Sequence, residues 1–96
     1  MGTDSFFVYI MSTVNNKVIY VGFSNDIKRR VYEHQSHLNF GFTWRYNICK
    51  LVYYEPFKYV DEAIKREKQL KRWNRDWKDN LINKSNPGWN DITSTL

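Results

Sequence analysis

Cysteine is nearly absent. Cys49 is the one thiol in 96 residues, so no internal disulfide can form and the reducing cytosol is the expected compartment. A zinc site would have to gather Cys49 with His34, His37 and a carboxylate, without any recognisable ligand spacing. No apolar run approaches the ~20 residues of a membrane span. The start, Met1-Gly-Thr-Asp-Ser-Phe, has no signal-peptide pattern, and Phe6 stands where a myristoylation signal needs Ser or Thr. The expected location is therefore the cytoplasm, with no membrane partner. Nucleophile elbows of the Gly-x-Ser-x-Gly kind, Walker loops and dinucleotide fingerprints are missing too. Cys49, expected in an apolar strand, has no local activating pattern. Acyl transfer and small-molecule cofactor chemistry are not expected.

What is present is aromatic and basic. Apolar residues make up 42% of the chain and aromatics 18%, enough for one small domain over 1–96 to fold around large rings. Lys and Arg number 15 against 10 acids, a formal net charge of +5, which favours an anionic partner.

The organising stretch is Val18 to His34. Val18–Phe23 is rich in β-branched and aromatic residues, as a strand requires. Gly22 near its end marks close approach of another group. Ser24, Asn25 and Asp26 are all N-cap types. From Ile27 the positions Ile27, Val31, His34 and Leu38 form the core face of an amphipathic helix. Arg30 lies beside that face, whereas Arg29 points more nearly to solvent. Upstream, Phe6–Met11 reads as a first strand, and Asn15-Asn16 as a two-residue hairpin loop. That register sets Tyr9 opposite Gly22 and Met11 opposite Tyr20, so the two tyrosines are diagonal neighbours on one face. Any loop of even length keeps them there.

Asn39–Asn47 is an aromatic, polar loop without a clear period. Lys50–Glu55 reads as a third strand, ended by Pro56. A second helix is predicted over Val60–Arg72, with Asp61 and Glu62 at its positive end. Its expected stripe is Val60, Ala63, Ile64, Leu70 and Trp73, with Glu67 inside it, where a carboxylate is unusual. Lys65, Lys68, Arg72 and Arg75 occupy the solvent face. A third helix is predicted over Arg75–Asn83, burying Trp77, Leu81 and Ile82. Asn86-Pro-Gly88 stops it, and Trp89 folds back on the core. The expected architecture is α/β of the α+β kind, a small three-stranded, mainly antiparallel sheet flanked by helices in the order β-β-α-β-α-α. Its core spans about 6–83, with 84–96 as a C-terminal tail.

Tyr9, Tyr20, Arg30, His34 and Glu67 are the chemical candidates, and each admits two readings. The tyrosines are either core residues with satisfied hydroxyls or part of a site. Glu67 is either paired with a nearby Lys or Arg or a ligand for a hydrated divalent ion. Arg30 is either a surface cation or a fork for two phosphate oxygens. His34 either packs or supports that site. As a set they suit phosphodiester cleavage better than acyl transfer.

Val8-Tyr9-Ile10, Tyr20-Val21-Gly22, Arg30, His34 and Glu67, in that order and spacing, resemble the GIY-YIG nuclease domain. More narrowly, the Arg66-Glu-Lys-Gln-Leu-Lys71 helix and the Trp77-Lys-x-x-Leu-Ile82 segment resemble the small stand-alone bacterial proteins of that superfamily. The resemblance covers about Phe6 to Ile82. It implies that one of Tyr9 and Tyr20 acts on the attacking water, and that Arg30 contacts the scissile phosphate with His34 in support. Glu67 would bind Mg²⁺ or Mn²⁺, and Gly22 would be the glycine of the second motif. The first motif lacks its glycine, Phe23 replaces a common lysine, and Asn80 only loosely matches a further asparagine. The implied function is a metal-dependent DNA endonuclease, structure-selective or weakly specific, in DNA repair or recombination and near the nucleoid. Lys28, Arg29, Lys65, Lys68, Arg72 and Arg75 would supply the DNA-binding surface. The alternatives are a catalytically weak module binding DNA or RNA, and a protein-interaction module using Phe40, Phe42, Trp44 and Tyr46.

Overall fold

The computed structural model describes residues 5–36 and 41–96, apart from the side chain of Phe42. Among them, strands β1 (Phe6–Ser12), β2 (Ile19–Ser24) and β3 (Lys50–Phe57) form one antiparallel sheet in the order β2-β1-β3. Helix α1 (Ile27–Gln35) follows the hairpin, and a single turn of helix, α2 (Phe42–Arg45), precedes β3. Helices α3 (Val60–Arg72) and α4 (Arg75–Ser85) come after it, and a short 3-10 turn (Thr93–Thr95) closes the chain. The predicted α+β order holds, with α2 added inside the stretch read as a loop. Leu38 and Phe40 lie outside the described residues.

Two apolar layers sandwich the sheet. Val8, Ile10, Val21 and Val52 pack with Ala63 of α3 and Ile82 of α4. On the opposite face Tyr9, Met11 and Leu51 pack with Ile27 and Val31 of α1. The central strand β1 is consequently apolar on both faces, as a strand covered on both sides must be.

The hairpin has the expected register, with Tyr9 opposite Gly22 and Met11 opposite Tyr20. Its loop is longer than predicted. Thr13 N–H donates to Val18 O (3.0 Å), leaving residues 14–17 outside the ladder. Asn16, at φ 63°, takes the left-handed conformation that the Asn pair was expected to tolerate. Four residues, like two, are an even number, so the shared face survives.

Pro56 does not end β3. The strand runs on to Phe57, with Pro56 opposite Phe7, because β3 is an edge strand where a missing N–H faces no partner. A register shift at Ile10/Met11 sets Val52 as an extra residue in β3, a bulge in the ladder. Residues 86–96 then cover that edge. Ile92 N–H donates to Leu51 O (2.8 Å), Leu51 N–H to Asp91 Oδ1 (3.3 Å) and Asn86 Nδ2 to Val52 O (3.1 Å). Trp89 is buried as expected, its indole N–H donating to Asn83 Oδ1 at 2.7 Å.

Two expectations for the helices fail for a geometric reason. Val60 and Ile64 are exposed rather than in the α3 stripe, which narrows to Ala63 and Leu70 with Trp73 half-buried beside it. Trp77 is 56% exposed. It lies five residues from the buried Ile82, about 140° round the helix at 100° per residue, so it cannot share that face. It meets Trp73 edge-on instead, with ring centroids 5.8 Å apart.

Candidate active site

The hairpin and α1 together build the centre of the site. Asp26 caps α1 by accepting from Arg29 N–H (3.2 Å), and Ser24 Oγ accepts from Asp26 N–H (2.9 Å), which sets the angle at which the helix leaves β2. That angle turns Val31 and His34 inward over the Tyr9 face of the sheet. Tyr9, Tyr20 and His34 meet as a triangle of rings. Centroids are 6.3 Å apart for Tyr9–Tyr20, 6.0 Å for Tyr9–His34 and 5.6 Å for Tyr20–His34.

Gly22 makes the triangle possible. A Cβ there would lie 2.4 Å from Cζ and Oη of Tyr9 and 2.9 Å from Cε2 of Tyr20. The Tyr9 phenol therefore occupies the space that any side chain at position 22 would need.

Polar bonds then order the rings. Tyr9 Oη and His34 Nε2 are 3.2 Å apart, and His34 Nδ1 and Thr43 Oγ1 3.1 Å. Thr43 comes from α2, so the short helix orients the histidine even though its own sequence has no period. A neutral imidazole with one donor and one acceptor satisfies both contacts. Burial pushes the His34 pKa down, with help from the nearby Arg30 charge and against Glu33, so the ring is neutral at pH 7. Burial also pushes the Tyr9 phenol well up, with Tyr20, Glu67 and Glu33 adding to the shift and Arg30 opposing it. Tyr9 is thus a protonated phenol, 1% exposed, within the fields of both Arg30 and Glu67.

Arg30 lies at the rim, its guanidinium 3.6 Å from Glu33, which Arg29 also approaches at 3.9 Å. Glu67 comes from α3, in the layer on the other side of the sheet from α1, near enough for its charge to act on the Tyr9 phenol. Its side chain is 19% exposed, and its carboxylate forms a 3.0 Å ion pair with Lys71, one helical turn on. Tyr9, Tyr20, Gly22 and His34 are therefore in contact with one another, with the charges of Arg30 and Glu67 acting on Tyr9.

The remaining candidates are distributed differently. Lys65, Lys68 and Arg72 are exposed along α3, and Lys28 and Arg29 are exposed on α1. Arg75 does not join that basic face. Its guanidinium donates to Asn16 O (2.5 Å), Lys17 O (2.7 Å) and Asp79 Oδ1 (2.7 Å), clamping the hairpin turn onto α4. Asn80 is exposed two residues from buried Ile82, about 200° round α4, and points away from the rings. Trp44 and Tyr46 are exposed at 51% and 44%, so part of the aromatic stretch does face outward. A groove of about 580 Å³ runs along that basic side of α3, lined by Lys65, Lys68 and Arg72 together with Phe57, Arg66 and Trp73.

Sequence reasoning missed Thr43 and underused Lys71. The Glu67–Lys71 pair carries a legible signal, an acid four residues before a base on one helix. Thr43 carries none, because its contact depends on how the loop returns to the sheet.

A sheet whose paired tyrosines meet over a glycine, with an arginine and histidine on the next helix and a distant glutamate, defines a class. The GIY-YIG catalytic domain matches residues 5–83, and the chain belongs to that nuclease family. Within it, the relatives are small bacterial proteins. A UPF0213 protein of Staphylococcus epidermidis is 33% identical over 79 residues, covering 82% of this chain and 95% of its own length. One of Limosilactobacillus reuteri is 27% identical over 84 residues, covering 85% and 86%. The solution NMR structure of a UPF0213 protein from Bacillus halodurans superposes with a TM-score of 0.55 at 26% identity, over 84% of this chain and 85% of that one. The three-stranded α+β fold is common to both structures. No helix among the described residues is long and apolar enough to cross a membrane.

Proposed function

We propose that this protein is a metal-dependent endonuclease that hydrolyses phosphodiester bonds in DNA, structure-selective or weakly specific, serving repair or recombination in the cytoplasm. The observation that carries this reading is the ring triangle of Tyr9, Tyr20 and His34 lying within the fields of Arg30 and Glu67, in a chain of a nuclease family.

Glu67 suits a hydrated Mg²⁺ or Mn²⁺. Among the described residues no group of three His, Cys, Asp or Glu could cage a metal, and a single sheltered carboxylate is the donor set of an ion that keeps most of its waters. Such an ion would supply positive charge to the phosphate and to the departing oxygen. The protein's own groups do the rest. Arg30 holds two phosphate oxygens and neutralises charge that builds up on them. Water attacks phosphorus as the P–O bond to the leaving strand breaks, and the departing oxygen takes a proton from solvent. The attacking water's proton passes along its hydrogen bond to a phenol oxygen while that phenol's own proton moves on to bulk water. Tyr20, the more accessible of the pair, takes that contact. Tyr9 is held protonated and donates, and His34 with Thr43 fixes its ring. Lys65, Lys68 and Arg72, with Lys28 and Arg29, attract the phosphate backbone without reading sequence.

The Glu67–Lys71 pair supports a second reading, a nucleic-acid-binding module in which the carboxylate is merely neutralised. Incubation with nicked, branched and plain duplex DNA in Mg²⁺ or Mn²⁺, and again with chelator, separates the two. Chelator-sensitive cleavage of any of these supports the nuclease. Salt-sensitive binding of all of them with no cleavage leaves the binding module.

A further inference from the structure

We propose that Lys71 is the exchangeable counter-ion of Glu67. It holds the carboxylate while no divalent ion is bound, and once displaced it adds its charge to the surface that takes phosphate. The inference rests on Glu67 being the metal ligand.

Glu67 and Lys71 occupy one flank of α3 a single turn apart, with the acid on the N-terminal side, the more favourable order for such a pair. Their surroundings are unequal. The Glu67 side chain is 19% exposed and that of Lys71 50% exposed, with their charged atoms 3.0 Å apart. The acid is fixed in the site and its charge reaches the Tyr9 phenol, while the base stands half in water on a flexible four-carbon stem. Of the two, Lys71 is the member that can leave. A divalent ion arriving at Glu67 must compete with that ammonium, because both seek the same oxygens. The exchange keeps the sheltered carboxylate neutralised in both states.

The displaced ammonium has a destination. Lys71 lies three positions after Lys68 and next to Arg72 on α3, so it borders the exposed basic face of that helix. Arg75 is already balanced by Asp79 and bound to the hairpin carbonyls, so it does not compete for the same role. Lys71 released from Glu67 therefore adds an uncompensated charge beside Lys68 and Arg72, where a phosphate is the complementary group. Metal binding and nucleic-acid binding are thereby coupled positively, and each strengthens the other by the same factor.

The test is a Mn²⁺ titration followed by calorimetry and by the spin resonance of free Mn²⁺, with no nucleic acid present. It compares the parent with Lys71→Gln, Lys68→Gln and Glu67→Gln. Lys68→Gln removes the same charge from the same helix about 60° round from Lys71 and outside the Glu67 ion pair, and so measures the general effect of a lost cation. The expected result is about two- to five-fold tighter Mn²⁺ binding by Lys71→Gln than by Lys68→Gln, the scale of one partly exposed ion pair. A second arm measures duplex binding by anisotropy in a Tyr20→Phe background. There Mn²⁺ should raise affinity, and Lys71→Gln should remove most of that gain. Equal Mn²⁺ affinities for the two lysine variants would overturn the proposal and make the contact an ordinary surface pair. Absence of Mn²⁺ binding by the parent, or unchanged binding by Glu67→Gln, would overturn the metal role of Glu67 and this inference with it.

Discussion

Arg66 and Glu67 are neighbours on α3, yet they belong to two networks built from the same kinds of group. On one flank Arg66 donates from Nε and Nη2 to Glu55, both at 2.9 Å, and from Nη1 to Gln69 at 2.7 Å, while Glu55 also accepts from the Tyr53 phenol. The Arg66 guanidinium lies over the Trp73 ring, 5.1 Å from its centroid. Every charge there has a partner in place. On the other flank Tyr9, Arg30 and Glu67 are again a phenol, a guanidinium and a carboxylate, but Arg30 and Glu67 come from opposite layers and each has a partner on its own helix. The first network is closed and stabilises the junction of β3 with α3. The second keeps its opposite charges apart, so a phosphate and a cation can come between them. On the proposed function, that difference separates a structural ion pair from a reactive one.

Exchanging the two carboxylates gives the sharpest contrast. Glu67→Gln should lower cleavage by at least about 100-fold, the cost of losing one charge-stabilising group, and leave the melting temperature near that of the parent. Glu55→Gln should do the reverse. It breaks a bidentate, largely buried pair and should cost about 2 kcal/mol, or roughly 10 °C in melting temperature, with cleavage by the folded protein retained. A stability loss at Glu67 with unchanged cleavage would erase the distinction between the networks.

Arg30→Lys should follow, with cleavage down by about 10- to 100-fold and duplex affinity little changed. The charge stays, but the planar fork that spans two phosphate oxygens is lost. Single-turnover cleavage on saturating DNA measures it. A Lys variant as fast as the parent would reduce Arg30 to simple electrostatics.

Reversing the exposed cations Lys65, Lys68 and Arg72 to Glu should weaken DNA binding at least about ten-fold. The slope of log K against log salt should become shallower by up to about 0.9 per lost phosphate contact. An unchanged binding isotherm removes this flank of α3 from the DNA footprint.

The smallest effect belongs to His34. Its folded pKa lies below the ordinary value of about 6.5, so the folded protein binds fewer protons than the unfolded chain between those two values. Stability should therefore be full above about pH 6.5 and fall as the pH drops below it. Thermal melts from pH 7.5 to 5 measure that slope, which should flatten in His34→Gln. Tyr9 and Tyr53, both pushed well above the ordinary phenol, act at the other end and should cost stability as the pH rises past about 10.

Much of this molecule was legible in its residues because the signals were local. The alternation of β1 and β2, and the even loop between them, placed Tyr9, Tyr20 and Gly22 on one face whatever the turn. The spacing Ile27–Val31–His34 turned the histidine inward. Trp77 misled because an isolated aromatic looks like core until its angle to Ile82 is counted. Arg75 misled because its acceptors, the carbonyls of Asn16 and Lys17, are nearly sixty positions away in the chain.

The sequence by itself determined the three strands, the helices α1, α3 and α4, the shared face of the two tyrosines and the candidate residues, since periods of two and 3.6 are properties of neighbouring positions. Only the tertiary structure decided which charges close on one another. Arg66 reaches Glu55 while Glu67 pairs with Lys71 and acts on the Tyr9 phenol through its charge, Thr43 steers His34, and Arg75 is withdrawn from the basic face to hold the hairpin. Adjacent helix positions diverge by about 100°, and what each then meets depends on strands and loops that arrive from elsewhere in the chain.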